Sequence, residues 1–525
     1  MIETTNPASP AEQPISKRLA DNMRRISDVF RNCDDFQQVT WKLGDVQPPP
    51  QGQQPEQPAP DGQQPPQGQQ TEQHPKQIQA AAFFFETLTY NENRPNAARE
   101  LLNDMIRSML LGGREMTAAE LAQYLDEHNI PSTNARILSS FDETEREMLS
   151  GKLVVFIDGW DKAIAIEAGN PESRSISEPL NESVIAGPHV GTVEDMRKNI
   201  GLLRGRLQTP AFKLKRLSAG GHARTPVAYG YIEGIVDPGM LQEFERRIAQ
   251  IKDQEILEVS YVEEWLEDKT YSPFPQFRLT ERPDTAVAAL LSGKIIVMTQ
   301  GSCGILLCPG LFVEFFQSSE DYYERTVIST GIRLLRILAV AIALTAPAIY
   351  IALVTYHPEL IPTNLLLAII DSREGIPFPA VVEAVIMVFF FELLREAGIR
   401  LPKTVGSAVS IVGALVIGEA AINAGIASPI MVVVVALTGI ASFAIPQYKI
   451  AIAFRILQFP LMLMTAVLGI FGLMICLLWI ALHLTKLKVL GQPYFDPFAP
   501  LRPRAMPDVL LRARLTRPIH KTASD

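Results

Sequence analysis

Glu383, Glu419 and Asn423 are the residues whose type and setting could do chemistry. Glu383 stands in the apolar stretch Val381–Leu394, and Glu419 and Asn423 stand in Ser407–Ala427. A carboxylate is costly in hydrocarbon, so each must face protein or water. Two roles fit, an ion pathway or a buried interhelical hydrogen bond, and the residues leave both open. Glu419 and Asn423 are i,i+4 neighbours on one helix face. Glu383 and Glu392 lie about 180° apart round a helix, so a continuous helix cannot turn both to one pore. Glu392 reads with Arg395 and Glu396 as a charge cluster at a helix end, which leaves Glu383 as the intramembrane candidate. Ser407, Ala414, Gly418, Ala421 and Gly425 form a small-residue stripe that lets a second helix approach closely. Asp371–Pro379 is charged and broken by glycine and proline; it reads as an external loop or the mouth of a pathway.

Enzymatic chemistry has no support. There is no phosphate-binding loop, nucleophile elbow, zinc-binding helix signature or dinucleotide fingerprint in a proper setting, and the seven histidines are scattered. Cys33, Cys303, Cys308 and Cys476 lack ligand spacing and read as reduced packing residues. No cofactor or metal is expected. A formal net charge of -9 argues against a nucleic-acid partner.

The elements that position these residues follow from the distribution of charge. Residues 331–485 are almost uncharged over long stretches, while 1–330 carry most of the charge. Ile337–Tyr356 is long enough to cross about 30 Å of hydrocarbon. Arg325, Arg333 and Arg336 before it place its start in the cytosol. Val381–Leu394, Ser407–Ala427, Pro429–Ile445 and Leu457–Leu484 follow as further apolar stretches. The cations Arg395, Arg400, Lys403, Lys449 and Arg455 should lie inside, as should the basic tail 486–525. Two cytosolic termini require an even number of crossings, yet these stretches number five. Either one does not cross, or Ile361–Ile370 adds a crossing.

No cleavable secretory signal is visible in Met1–Ala20, so the region before the bundle is expected in the cytosol. Within 1–45 a short helical segment is expected over 16–45. The Pro/Gln-rich stretch 46–77 reads as a disordered linker. Residues 78–150 read as helical, most clearly over Asn96–Leu111 and Thr117–His128. Leu149–Gly159 is similar to Leu291–Gly301, and each is followed by a second apolar run, Ala163–Ile166 and Gly304–Leu307. A recurring β-hairpin predicts two related α/β subdomains, 78–180 and 181–330. Met240–Lys252 and Ile256–Asp268 read as amphipathic helices. The basic run Arg204–Arg224 reads as a solvated face or a lipid-surface patch. The expected fold is thus an α+β cytosolic region of two related subdomains followed by an α-helical polytopic membrane bundle over 331–485.

Residues 149–500 resemble the A subunit of GerA-type spore germination receptors. The strings that carry the resemblance include Glu178-Pro179 with Glu182, the Gly187-Pro188 to Gly191 turn, and Asn199-Ile200 with Arg204 and Arg206. Phe274-Pro275-Gln276, Thr280-Glu281-Arg282-Pro283-Asp284 and Asp321-Tyr322-Tyr323-Glu324-Arg325 continue it. In the apolar half it takes in Pro377-Phe378-Pro379 with Glu383, Phe391 to Gly398, Ile411-Val412-Gly413 and Tyr494-Phe495. The resemblance implies a nutrient sensor in the inner spore membrane, multi-pass, with both termini cytosolic. Its implied partners are a transporter-like B subunit, a lipoprotein C subunit, further copies of itself and membrane lipids. It implies an oligomeric ion pathway gated by germinant, with Glu178, Gly187, Pro188, Gly191, Arg204, Arg206, Glu281 and Arg282 as cytosolic coupling residues. Ala186–Thr192 departs from the family's Arg-Gly-Pro-Arg-Glu-Gly-Phe-like string, and Gln300-Gly301-Ser302 replaces an Asp-Gly-Ser turn, so charge-dependent contacts there are in doubt. Two alternatives stay open, a paralogous accessory protein of spore solute release and a small-solute transporter. The second lacks visible inverted repeats.

Overall fold

The computed structural model describes residues 13–43, 78–89, 135–167, 186–268, 271–401, 416–503 and 506–513, together with positions 95–96, 98–100, 102–103, 123, 178–179, 182 and 413. The Pro/Gln stretch and most of the two helices expected over 96–128 lie outside these residues.

Two sheets of the same design form the front half. The first unit comprises α1 (Leu19–Val29), β1 (Phe36–Leu43), β2 (Ile78–Phe85), β3 (Ala135–Leu138), α2 (Phe141–Leu149), β4 (Leu153–Ile157) and β5 (Ala163–Ile166). The second comprises α3 (Met196–Arg206), β6 (Phe212–Ala219), β7 (Thr225–Ile232), α4 (Pro238–Ile248), α5 (Val259–Leu266), β8 (Arg278–Thr280), α6 (Pro283–Leu291), β9 (Ile295–Thr299) and β10 (Ile305–Cys308). Strand order is β1-β2-β4-β5-β3 in one and β6-β7-β9-β10-β8 in the other, the same permutation of five antiparallel strands. The two expected hairpins are β4–β5 and β9–β10, and they occupy equivalent places.

Two expectations are corrected. Residues 78–85 are not helical: β2 pairs with β1 from Ile78↔Leu43 to Phe85↔Phe36 and with β4 on its other side. The alanines at 80–82 favour a helix locally, but burial of Phe83 and Phe85 between neighbouring strands outweighs that preference. Residues 16–45 are not helical throughout either, since β1 supplies the edge of the first sheet. Helix starts are set by short polar side chains: Ser140 accepts from the Glu143 N–H at α2, and Asp237 accepts from Met240 at α4.

The helical half contains α7 (Thr326–Thr355), α8 (Thr363–Arg373), α9 (Ala380–Arg400), a helix over 416–423, α10 (Pro429–Phe443) and α11 (Tyr448–Lys486). Two of these, α7 and α11, are long and apolar enough to cross a membrane, with mean hydropathies of 2.5 and 2.6. The second is not one rod. Phe454 and His483 would lie roughly 40 Å apart in a straight helix, yet both rings pack on Phe274, at centroid distances of 6.1 Å and 6.0 Å. The chain reverses at Gly469, whose φ of 61° and ψ of -145° leave the helical region. The Tyr356 hydroxyl donates to the Ala466 carbonyl at 2.6 Å and the Val467 carbonyl at 3.1 Å, satisfying oxygens freed at the break. Leu457–Leu484, read from sequence as one stretch, is therefore two legs.

Contacts order the other legs. Arg336 at the base of α7 is held by Asp321, while Tyr350 near its far end meets Ser428 at the start of α10. Glu383 at the start of α9 also meets Ser428, and Arg395 near its end meets Ser442 near the end of α10. Gly413 lies against Leu394, and Gly425 against Gly375. Among the described residues, α7, α9, the helix at 416–423, α10 and the two limbs of α11 thus make six legs of alternating direction.

Candidate functional site

The resemblance-carrying strings, far apart in sequence, meet at the junction of the second sheet with the helical legs. Glu182 is the hub. Its Oε2 accepts from the Thr280 hydroxyl at 2.5 Å and the Glu281 N–H at 3.1 Å, and its Oε1 accepts from Gln447 Nε2 at 3.0 Å, just before α11. The Thr192 N–H donates to the Glu281 carbonyl at 2.8 Å. Arg282 is buried; its Nη2 donates to Asp284 Oδ2 at 2.7 Å, and Tyr323 donates to the same oxygen at 2.5 Å. Burial opposes ionisation of Asp284, but these hydrogen bonds hold its carboxyl below the usual range. Gly187 has φ 114°, and a β-carbon there would lie 2.7 Å from the Tyr323 ring, so only glycine fits that turn. Pro188 is half-buried beside it and Gly191 is buried, whereas Glu178 is exposed, 3.7 Å from His189. The Gln300–Ser302 turn uses neutral groups. Gln300 accepts from the Met196 N–H, and Ser302 donates to Glu258 at 2.6 Å.

A second connection joins the two sheets. Arg204 and Asp35 are both fully buried, bonded through Nε–Oδ2 at 2.5 Å and Nη2–Oδ1 at 2.7 Å. Asp35 Oδ2 also accepts from Thr87 at 3.0 Å. Around this pair, Lys213 donates to the Val29 carbonyl at 3.0 Å, Arg216 meets Glu86 at 3.1 Å and Arg197 meets Glu86 at 3.4 Å. The basic run is therefore neither a solvated face nor a lipid patch at Arg204, Lys213 and Arg216: Arg204 and Arg216 meet acids of the first unit, while Lys213 reaches a backbone carbonyl of that unit and pairs with Glu233 of its own. Arg206, by contrast, is exposed. Sequence reading singled out Arg204, quoted Glu182 within a resemblance string without giving it a coupling role, and missed Asp35.

A third contact ties α5 to the legs: Lys449 pairs with the buried Glu263. One turn on, half-buried Glu267 is raised by burial and by the Glu263 charge to about 7. Its protonated form is favoured in the folded chain. The stability it allows is fully present below its unfolded value of 4.5 and falls as pH rises towards 7. Replacing Glu267 by Gln will flatten that part of the pH profile; thermal unfolding of the detergent-solubilised chain at pH 5 and pH 7 reads it. An unchanged difference between the two pH values rejects the assignment.

Among the legs, Glu383 is completely buried. Its Oε2 accepts from the Ser428 N–H at 3.0 Å, and its Oε1 is 3.0 Å from Arg373 Nη2 but off the hydrogen-bond line. Asp371–Pro379 folds back so that Arg373 also donates to the Phe378 carbonyl at 3.3 Å. Glu383 thus anchors the start of α10 rather than facing a channel within this chain. Glu419 and Asn423 are both exposed on the outward side of their helix, while Ala421 is buried and Gly418 faces Val432. Ser407 and Ala414 lie outside the described residues. Among the described residues, no three His, Cys, Asp or Glu side chains form a group able to hold a metal.

A duplicated α+β head packs on a helical half, two of whose helices are long and apolar enough to cross a membrane. Residues 69–523 match the model of the Bacillus/Clostridium GerA spore germination protein. The chain belongs to that family. It is 44% identical over 399 residues to the uncharacterized membrane protein YfkQ of Bacillus subtilis (strain 168), covering 75% of this chain and 78% of that protein. Spore germination protein KA of the same organism is 43% identical over 390 residues, covering 74% and 72%. The crystal structure of the N-terminal domain of the A subunit of the Bacillus megaterium spore germinant receptor GerK3 overlaps loosely, with a TM-score of 0.39 and 19% identity over 58% of this chain and 99% of that chain.

Proposed function

We propose that this spore germination protein is the A subunit of a nutrient-germinant receptor. In this reading its six legs cross the inner spore membrane, with the two-sheet head and the tail in the cytosol. Further copies assemble around an aqueous ion path, alongside a transporter-like B subunit and a lipoprotein C subunit. The outward placement of Glu419 with Asn423 supports the assembly. Beside them Val416 and Ile422 are exposed, as are Ile440, Val467, Phe471, Leu478 and Trp479 on other legs. Apolar side chains suit lipid, but a carboxylate on such a surface must be covered by protein or water.

Glu419 and Glu383 then separate by experiment. Replacing Glu419 by Gln will slow germinant-triggered release of monovalent cations about tenfold, with receptor levels unchanged. Replacing Glu383 by Ala strips the half-buried Arg373 of its carboxylate and leaves the buried Ser428 N–H without an acceptor, at a cost of roughly 1–3 kcal/mol, so receptor levels will fall instead. Normal ion release in Glu419→Gln spores sinks the pathway reading. Co-purification with a B subunit and a lipoprotein distinguishes a receptor from an accessory paralogue.

A further inference from the structure

Two cavities adjoin where α7 enters the apolar region. One, of about 220 Å³, is polar; Glu182, Arg278, Glu320 and Arg336 line it with Ser318 and Gln447. The other, of about 180 Å³, is apolar and is walled by Phe312, Phe316, Ile337, Val340, Phe498 and Val509. No residue lines both, but they flank the same two chain segments. Phe316 and Gln317 are consecutive and face different cavities, as do Arg336 and Ile337, and Val340 lies one turn beyond Arg336 on the same helix face. Together they reach the lower end of ligand-site volumes, roughly 300–1,000 Å³.

The charges in the polar cavity balance, two guanidiniums against two carboxylates. Arg336 is engaged by Asp321 at 2.8 Å, and Glu182 is saturated by its three donors. Arg278 reaches only the Glu314 carbonyl, at 3.4 Å, and its Nε has no partner among the described residues. Such a lining matches a phosphate beside an ammonium and disfavours a second negative charge, while the adjoining cavity takes hydrocarbon.

We infer that these cavities hold one phospholipid with a zwitterionic headgroup, its phosphate at Arg278 and Arg336 and an acyl chain against Val340 and Phe316. Phe498 and Val509 belong to the tail, so the bound lipid also fastens the tail to α7. The inference rests on the proposal that the legs cross a membrane. The site lies where α7 passes from charged to apolar sequence, at headgroup depth.

Native mass spectrometry of the full-length protein from nanodiscs of mixed dioleoyl-phosphatidylethanolamine and dioleoyl-phosphatidylglycerol tests it. The ethanolamine lipid will be retained about tenfold more than the glycerol lipid. Arg278→Gln will lower its retention by a similar factor, and Val340→Trp will abolish it by filling the apolar cavity. Equal retention of both lipids, or retention unchanged in both variants, overturns the site. A rise in melting temperature with O-phosphoethanolamine alone also overturns it, in favour of a soluble zwitterion. Should the chain leave carbonate-washed membranes, the membrane proposal itself fails, a result distinct from a failure of lipid selectivity.

Discussion

Replacing Arg204 by Ala will destabilise the full-length protein by roughly 3–5 kcal/mol, because it strands a buried carboxylate. Asp35 and Arg204 are both fully excluded from solvent, and the guanidinium grips both carboxylate oxygens. The guanidinium also lies 4.3 Å from the Phe85 ring and 5.1 Å from the Phe212 ring, one from each sheet. Removing Asp35 leaves the cation with the Phe212 carbonyl at 3.4 Å and little else, so Asp35→Ala will cost about as much. Replacing both with apolar residues of similar volume, Asp35→Leu with Arg204→Met, will recover most of the loss. A double-mutant cycle on thermal unfolding in detergent should therefore show a coupling near 2 kcal/mol or more, within the range for contacting pairs. A coupling below about 0.5 kcal/mol rejects the view that this pair joins the sheets. If the head transmits germinant binding, the same variants will also uncouple ion release from nutrient while leaving the legs in the membrane.

Substituting the reversal glycines will have the second-largest effect. Alanine at Gly469 must adopt a backbone conformation that side chains rarely tolerate, at a cost of about 1–3 kcal/mol. Its β-carbon would also lie 3.1 Å from the Tyr356 ring. Gly472 is more demanding, since a β-carbon there runs into the Met464 carbonyl of the opposite limb. Gly472→Leu will pry the limbs apart and withdraw the second from Phe274. The hairpin of β11 (Lys488–Val489) and β12 (Gln492–Pro493) follows that limb, and Tyr494 beyond it donates to the Pro275 carbonyl at 2.8 Å. Detachment of this limb should expose the tail, and an epitope at the C-terminus will change its protease protection in sealed vesicles. Retained protection and an unchanged melting temperature in Gly472→Leu would show that the limbs do not pack as described. Tyr356→Phe is the milder companion; it removes an exposed hydroxyl donor shared by two carbonyls and should cost about 0.5–1.5 kcal/mol.

Parts of this design are legible in the chain and parts are not, for reasons that differ by element. The hairpins at 153–166 and 295–308 announce themselves because strand, turn and strand lie within reach of one another in sequence. The strand at 78–85 hides because three alanines read as helix, and its partners lie on the far side of a long low-complexity stretch and at 153–157. The reversal at Gly469 hides because an apolar run containing glycine is ordinary for a spanning helix, and only Tyr356 and Phe274, over a hundred residues away, reveal the fold-back. The carboxylates of the apolar half were found by type, yet their settings parted on contact. Glu383 met Arg373 and Ser428, and among the described residues Glu419 is left exposed.

By itself the sequence determined the division between a charged front and an apolar back, the duplicated hairpin and the family. Each of these depends on composition or on local order, where a few adjacent residues set the free energy. Tertiary structure alone decided that the basic run locks two sheets together, that one apolar stretch is two legs, and which carboxylate is anchored and which faces outward. Those outcomes depend on side chains brought together from distant parts of the chain. Burial makes a charge, a hydroxyl or a missing β-carbon decisive, and no local pattern records what will bury it.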